Sequence, residues 1–144
     1  MPGSVSPHFS LHEFGLSDEK AQKRGLDAGA EYPAEWIESR LKPLCAALEI
    51  IRAEFGGKPV KIISGYRPLK YNRKLGSKDD SQHVVGRAAD FQIPGVEPKA
   101  IWDRMIALRH IGRLDIGGAG VYDEFVHMDV RGGSLHIWDE RTHT

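Results

Sequence analysis

Along residues 37–55 the apolar positions Ile37, Leu41, Leu44, Leu48, Ile51 and Phe55 step alternately by four and three, which puts them on one stripe of a helix. Such a stripe needs a core to face. Gly56 and Gly57 stop this helix, and Pro43, which lacks a backbone N–H, is expected to kink it. The period then changes to two. Residues 60–64, Val-Lys-Ile-Ile-Ser, alternate and are rich in β-branched side chains, so they predict a strand that ends at the turn Gly65-Tyr66-Arg67-Pro68. Ile101, Met105 and Leu108 imply another helix, and residues 88–93, 119–122 and 125–130 read as short strands bounded by Gly, Pro or Asp.

Near the amino terminus, Ser17 followed by Asp18 and Glu19 has the character of a helix cap with first-turn acids, and Gly25 can end that short helix. Residues 1–14 have little periodicity and predict an arm lying on the domain, while residues 132–144 read as a tail. Helices early and strands joined by short turns late argue for an α+β domain. Its small, mostly antiparallel sheet would carry helices on one face and a groove on the other.

A chain of 144 residues, 40% of them hydrophobic, is long enough to bury one core and short for two, so residues 1–144 are expected to form a single domain. Twenty basic and twenty acidic side chains cancel, which removes any global field toward nucleic acid or an anionic membrane. No stretch approaches the roughly 18 consecutive apolar residues of a spanning helix, and the first residues lack a basic start followed by an apolar run. The expectation is therefore a monomer that does not insert into membranes and is cytoplasmic as encoded. The one cysteine, Cys45, lies within the apolar helical pattern and reads as a buried thiol, so any metal must be held by nitrogen and oxygen.

The chemistry concentrates in two segments. Ser81-Gln82-His83-Val84-Val85-Gly86-Arg87-Ala88-Ala89-Asp90 offers an imidazole and a carboxylate on either side of a reversal at Gly86, and Glu124-Phe125-Val126-His127-Met128-Asp129 offers a second imidazole on a strand. Two imidazoles and one carboxylate make a three-ligand zinc site with a fourth position open to water, the pattern of a catalytic centre. Strand alternation turns His127 and Asp129 to one side and Val126 and Met128 to the core. Asp129 could then orient a ligand imidazole through a hydrogen bond. Taken singly, His127 could equally be a satisfied polar group, Asp90 the end of a strand and Gly86 an ordinary turn. His8, His12, His110, His136 and His143 are read as ordinary.

Ser81-x-His83-x-x-Gly86-x-Ala88-x-Asp90 followed by Glu124-x-x-His127 resembles the signature of the M15 zinc peptidases, the D-alanyl-D-alanine carboxypeptidase and dipeptidase group that includes phage endolysins. Ser64-Gly65-Tyr66-Arg67-Pro68 and the opening Phe9-Ser10-Leu11-His12-Glu13-Phe14 extend the likeness over roughly residues 8–131. The resemblance implies a fold shared with the signalling domain of hedgehog proteins and one zinc ion on His83, Asp90 and His127. It implies that Arg67 binds substrate and polarises the scissile carbonyl, and that Glu124 is the general base and acid, with Asp123 or Asp129 as alternatives. Tyr66, Ser81 and Gln82 would flank the groove and hold the peptide. The implied activity is hydrolysis of bacterial peptidoglycan peptides, by a carboxypeptidase or an endopeptidase; His127-x-Asp129 is similar to the compact, endopeptidase-like members. Two other readings remain: a zinc-stabilised binding module without catalysis, and a zinc hydrolase of another small amide.

Overall fold

The computed structural model describes residues 3–26 and 28–142; His143 lies outside them. The main sheet has five strands in the order β3-β4-β6-β5-β7: β3 (Lys61–Ser64), β4 (Ala88–Gln92), β5 (Gly118–Val121), β6 (Val126–Asp129) and β7 (His136–Asp139). Three of its pairings are antiparallel, and β5 with β7 is parallel, so the sheet is mixed. Two long helices, α2 (Lys42–Glu54) and α4 (Pro98–His110), and two short ones, α1 (Asp18–Lys23) and α3 (Leu69–Lys74), complete an α+β architecture.

The core lies between the sheet and the long helices. Leu44, Leu48 and Ile51 of α2 and Ile101, Met105 and Leu108 of α4 are buried in one cluster with Ala89 and Phe91 of β4, Ala119 and Val121 of β5, and Val126 and Met128 of β6. Strand alternation therefore leaves Ala88, Asp90, His127 and Asp129 on the opposite face. The registers align Ser64 with Asp90, Asp90 with His127, His127 with Gly120, and Gly120 with Trp138. One residue from each strand thus forms a line across the sheet.

Pro43 does not kink a continuous helix. Residues Ile37–Leu41 form a π turn, with the Lys42 N–H bonded to the Ile37 carbonyl, and Pro43 falls in the first turn of α2, where its missing donor costs little. The α1 cap is as the sequence indicates: Ser17 Oγ accepts from the Lys20 N–H, and Gly25 takes φ +78° just beyond the helix.

The amino-terminal arm is more ordered than its composition suggests. Strands β1 (Ser4–Ser6) and β2 (Phe9–Ser10) pair antiparallel, a 3-10 turn follows over Leu11–Phe14, and Phe9 and Phe14 enter the core. Glu49 of α2 accepts from the Ser6 hydroxyl at 2.6 Å and the His8 backbone N–H at 2.8 Å, and pairs with the His8 ring at 2.6 Å. His8 thus has a structural task. At the other end, the stretch read as a tail contains β7, an edge strand whose Ile137 is 50% exposed. Among the described residues no helix is long and apolar enough to cross a membrane.

Candidate metal centre

Gly86, at φ +72°, makes the reversal between His83 and β4, and its missing side chain admits Tyr32 and Trp36, which an added Cβ would meet within 3 Å. The reversal returns the chain so that Asp90 stands beside His83, with His127 opposite Asp90 on β6. All three side chains are buried, and one donor atom from each lies within 4.8 Å of the other two.

A hydrogen bond to the backbone fixes the tautomer of His83. His83 Nδ1 lies 2.7 Å from the Gly65 carbonyl, which can only accept, so Nδ1 donates and Nε2 keeps its lone pair. Burial pushes this imidazole's pKa down, favouring the neutral ring. His127 Nε2 lies 2.7 Å from Asp129 Oδ2, so its Nδ1 faces the centre instead. Both inward nitrogens then sit 3.0 Å from the same atom, Asp90 Oδ1. At that distance from a carboxylate, an inward nitrogen either donates a proton to it or shares a bound cation with it. Burial opposes the protonated form of His127, but its bonds to Asp129 and Asp90 outweigh burial and raise its pKa, so a proton holds the place between the ring and Asp90 that a metal ion would take. Two nitrogens and a carboxylate oxygen suit zinc.

Around this trio the supports are asymmetric. Asp129 is fully buried and also accepts from Arg131 Nε at 2.8 Å and Nη2 at 2.6 Å; burial alone would raise its pKa, yet the bonds from Arg131 and His127 hold it well below the usual carboxylate range. Burial opposes the charge on Asp90 as well, but its closeness to both imidazoles and its bonds with them hold its pKa low. Arg67, also buried, reaches Asp90 Oδ2 at 3.3 Å through Nη2, and burial lowers its pKa against the pull of Asp90. Its Nε is buried without a hydrogen-bond partner.

The trio and Arg67 line a groove of about 810 Å³. Ser81 lines it too, although its hydroxyl accepts locally from the His83 N–H at 3.3 Å. Other sequence candidates lie elsewhere. Tyr66 is outside the groove lining, its ring packed 6.2 Å from Tyr32 and 5.8 Å from Trp36. Gln82 does not line it either. Glu124 is exposed, precedes β6, which begins only at Val126, and lines an adjoining depression rather than the groove. Asp123 accepts from the Thr142 N–H at 2.9 Å, and Asp129 is engaged as described.

Arg24, Lys78, Tyr122, Arg131, Trp138 and Glu140 line the groove without having been singled out from sequence. Three of them depend on β7 or its approach, which leaves no alternating pattern to read. The Trp138 ring lies 4.9 Å from that of His127, and Glu140 borders both the groove and the adjoining depression.

Comparison with known proteins gives this geometry a context. The family model described as Peptidase M15 matches residues 7–129. Over 88 residues the chain is 37% identical to the peptidoglycan L,D-endopeptidase MepK of Escherichia coli (strain K12), covering 56% of this chain and 44% of that protein. Over 91 residues it is 30% identical to the zinc D-Ala-D-Ala carboxypeptidase of Streptomyces albus G, covering 63% of this chain and 34% of that one. The match spans less than half the length of either relative.

Proposed function

The chain belongs to the peptidase M15 family, and from that premise we propose that it is a zinc-dependent peptidase hydrolysing amide bonds in bacterial peptidoglycan peptides. The observation that carries the reading is the convergence of His83 Nε2, His127 Nδ1 and Asp90 on one point, with the outer nitrogens tied back to Gly65 and Asp129. A domain that merely held zinc for stability would need no buried arginine beside it. Arg67 supports catalysis, since its charge is permanent and it lines the groove beside the three ligands.

His83, Asp90 and His127 would hold the ion. Zinc bound there would act as a Lewis acid on the carbonyl and acidify water from a pKa of about 15.7 to about 7. Arg67 shares the negative charge that develops on the carbonyl oxygen. Ser81 edges the peptide. Tyr66 and Gln82 would affect substrate only through the segments that carry Arg67 and His83.

For proton transfer Glu124 is the candidate the resemblance supports, provided that the turn before β6 swings its carboxylate past Phe125. Glu140 is the competitor, because it already borders the groove. The relatives' names support both endopeptidase and carboxypeptidase action; His127-x-Asp129 favours the endopeptidase.

Zinc analysis with mass spectrometry of muropeptides released from purified sacculi tests this. The wild type is expected to carry one zinc and cut the wall peptide, while His83→Ala loses both. A Glu124→Gln variant that keeps zinc and loses activity assigns the base there; a fully active one moves it to Glu140. A zinc-loaded but inert wild type rejects the peptidoglycan reading.

A further inference from the structure

The part of the groove wall that lies beyond the family match has a hydrogen-bonding order of its own. Trp138, on edge strand β7, reaches across β5 to lie on His127, and its indole Nε1–H donates to the Tyr122 hydroxyl at 3.0 Å. This crossing is possible only because Gly120 stands between them, for a Cβ there would collide with the indole nitrogen and ring. The Tyr122 ring is fixed from its other side by Phe125, stacked at 4.5 Å and 12°, and by its backbone N–H bonded to the Phe125 carbonyl at 3.0 Å. Trp138 can only donate, so the phenol oxygen accepts and the phenol proton must point elsewhere.

The groove is where that proton can go. Tyr122 lines it with Arg67, Asp90 and His127, and is near enough to Asp90 and Arg67 to feel both charges. Burial raises the phenol's pKa, so the hydroxyl keeps its proton at neutral pH. Arg67 approaches the line of site residues from the β3 end and Tyr122 from the β5 end.

We propose that the Tyr122 hydroxyl donates a hydrogen bond to the scissile carbonyl oxygen as it becomes an oxyanion, with Trp138 as the positioning residue that sets its direction. This rests on the peptidase reading above. Tyr122 is then a catalytic residue sharing the oxyanion with Arg67, and β7 is part of the active site rather than an appendage to it.

Tyr122→Phe, Trp138→Phe and the double variant should be compared for muropeptide release from purified sacculi, for zinc content and for thermal midpoint. Tyr122→Phe keeps the Phe125 stack, so zinc and midpoint should stay at wild-type values while the rate falls by about 10²-fold. Trp138→Phe should lose about 5- to 10-fold, the worth of one orienting bond. The double variant should be no slower than Tyr122→Phe alone, because Trp138 acts through a hydroxyl already gone. A Tyr122→Phe rate within about twofold of wild type overturns the proposal alone, as does multiplication of the two losses in the double variant. Loss of zinc in Tyr122→Phe overturns it by making the residue structural, and a zinc-loaded wild type inert on sacculi overturns it together with the peptidase reading.

Discussion

Asp129 anchors the outer nitrogen of His127: its Oδ2 lies 2.7 Å from Nε2, and the whole carboxylate is buried. In Asp129→Asn the Arg131 backbone N–H and Nε, which both donate to Oδ1, hold the amide oxygen on their side and leave an NH2 facing the imidazole, so the ring carries its proton on the wrong nitrogen for a metal. For Asp129→Asn we expect zinc affinity to fall about 10- to 100-fold with all three ligands intact, measured by competition against a chromophoric chelator. Wild-type affinity would show that Arg131 and Trp138 suffice to hold the ring.

Gly118 faces Asp129 across the β5–β6 pair, and a Cβ at Gly118 would overlap the Asp129 carboxylate. That carboxylate is clamped by Arg131 and cannot step aside freely. Gly118→Ala should destabilise the fold by about 1–3 kcal/mol, read from urea denaturation, and weaken zinc binding as Asp129→Asn does. An unchanged denaturation midpoint would mean that the strand yields at no cost.

Glu49 ties the amino-terminal arm to α2. Burial opposes its charge, but the bonds from Ser6 and His8 outweigh that and hold the carboxyl below its ordinary 4.5. A depressed folded-state pKa gives stability that is present above the unfolded value and disappears as pH falls through the folded one. Wild type should therefore exceed Glu49→Gln by about 1 kcal/mol at pH 7, the modest size reflecting partial exposure, and the two should converge below about pH 4. Thermal unfolding of both proteins across pH 3–8 checks this, and a gap that persists in acid would refute it.

Cys45 is fully buried in the α2 stripe, and burial pushes its thiol up to about 12. It should resist iodoacetamide in the native protein at pH 8 and be alkylated once guanidinium unfolds the chain. Mass spectrometry of the two reactions distinguishes them, and rapid native labelling would place the thiol at the surface.

The parts of this molecule legible in its sequence are those in which one physical signal dominates. The stripe from Leu41 to Ile51 was readable because a long helix has only one core to face, and the strands around Asp90 and His127 because their neighbours alternate cleanly. His83, Asp90 and His127 could be picked out by residue type and order, and the fold brings them together. Helix α3 went unread because its six residues bury only Tyr71 and Asn72. Strand β7 went unread because an edge strand half in solvent needs no alternating pattern, so Trp138 gave no hint that it meets His127. The direction of Glu124 depends on a turn two residues long, finer than any periodicity resolves.

The line Ser64, Asp90, His127, Gly120, Trp138 draws one residue from every strand of the main sheet. Slippage of any strand by a single position would turn its contribution to the far side. The centre is consequently a property of the assembled sheet and not of any one segment of the chain. The three side chains that could hold an ion therefore meet only after distant stretches of sequence have zipped together.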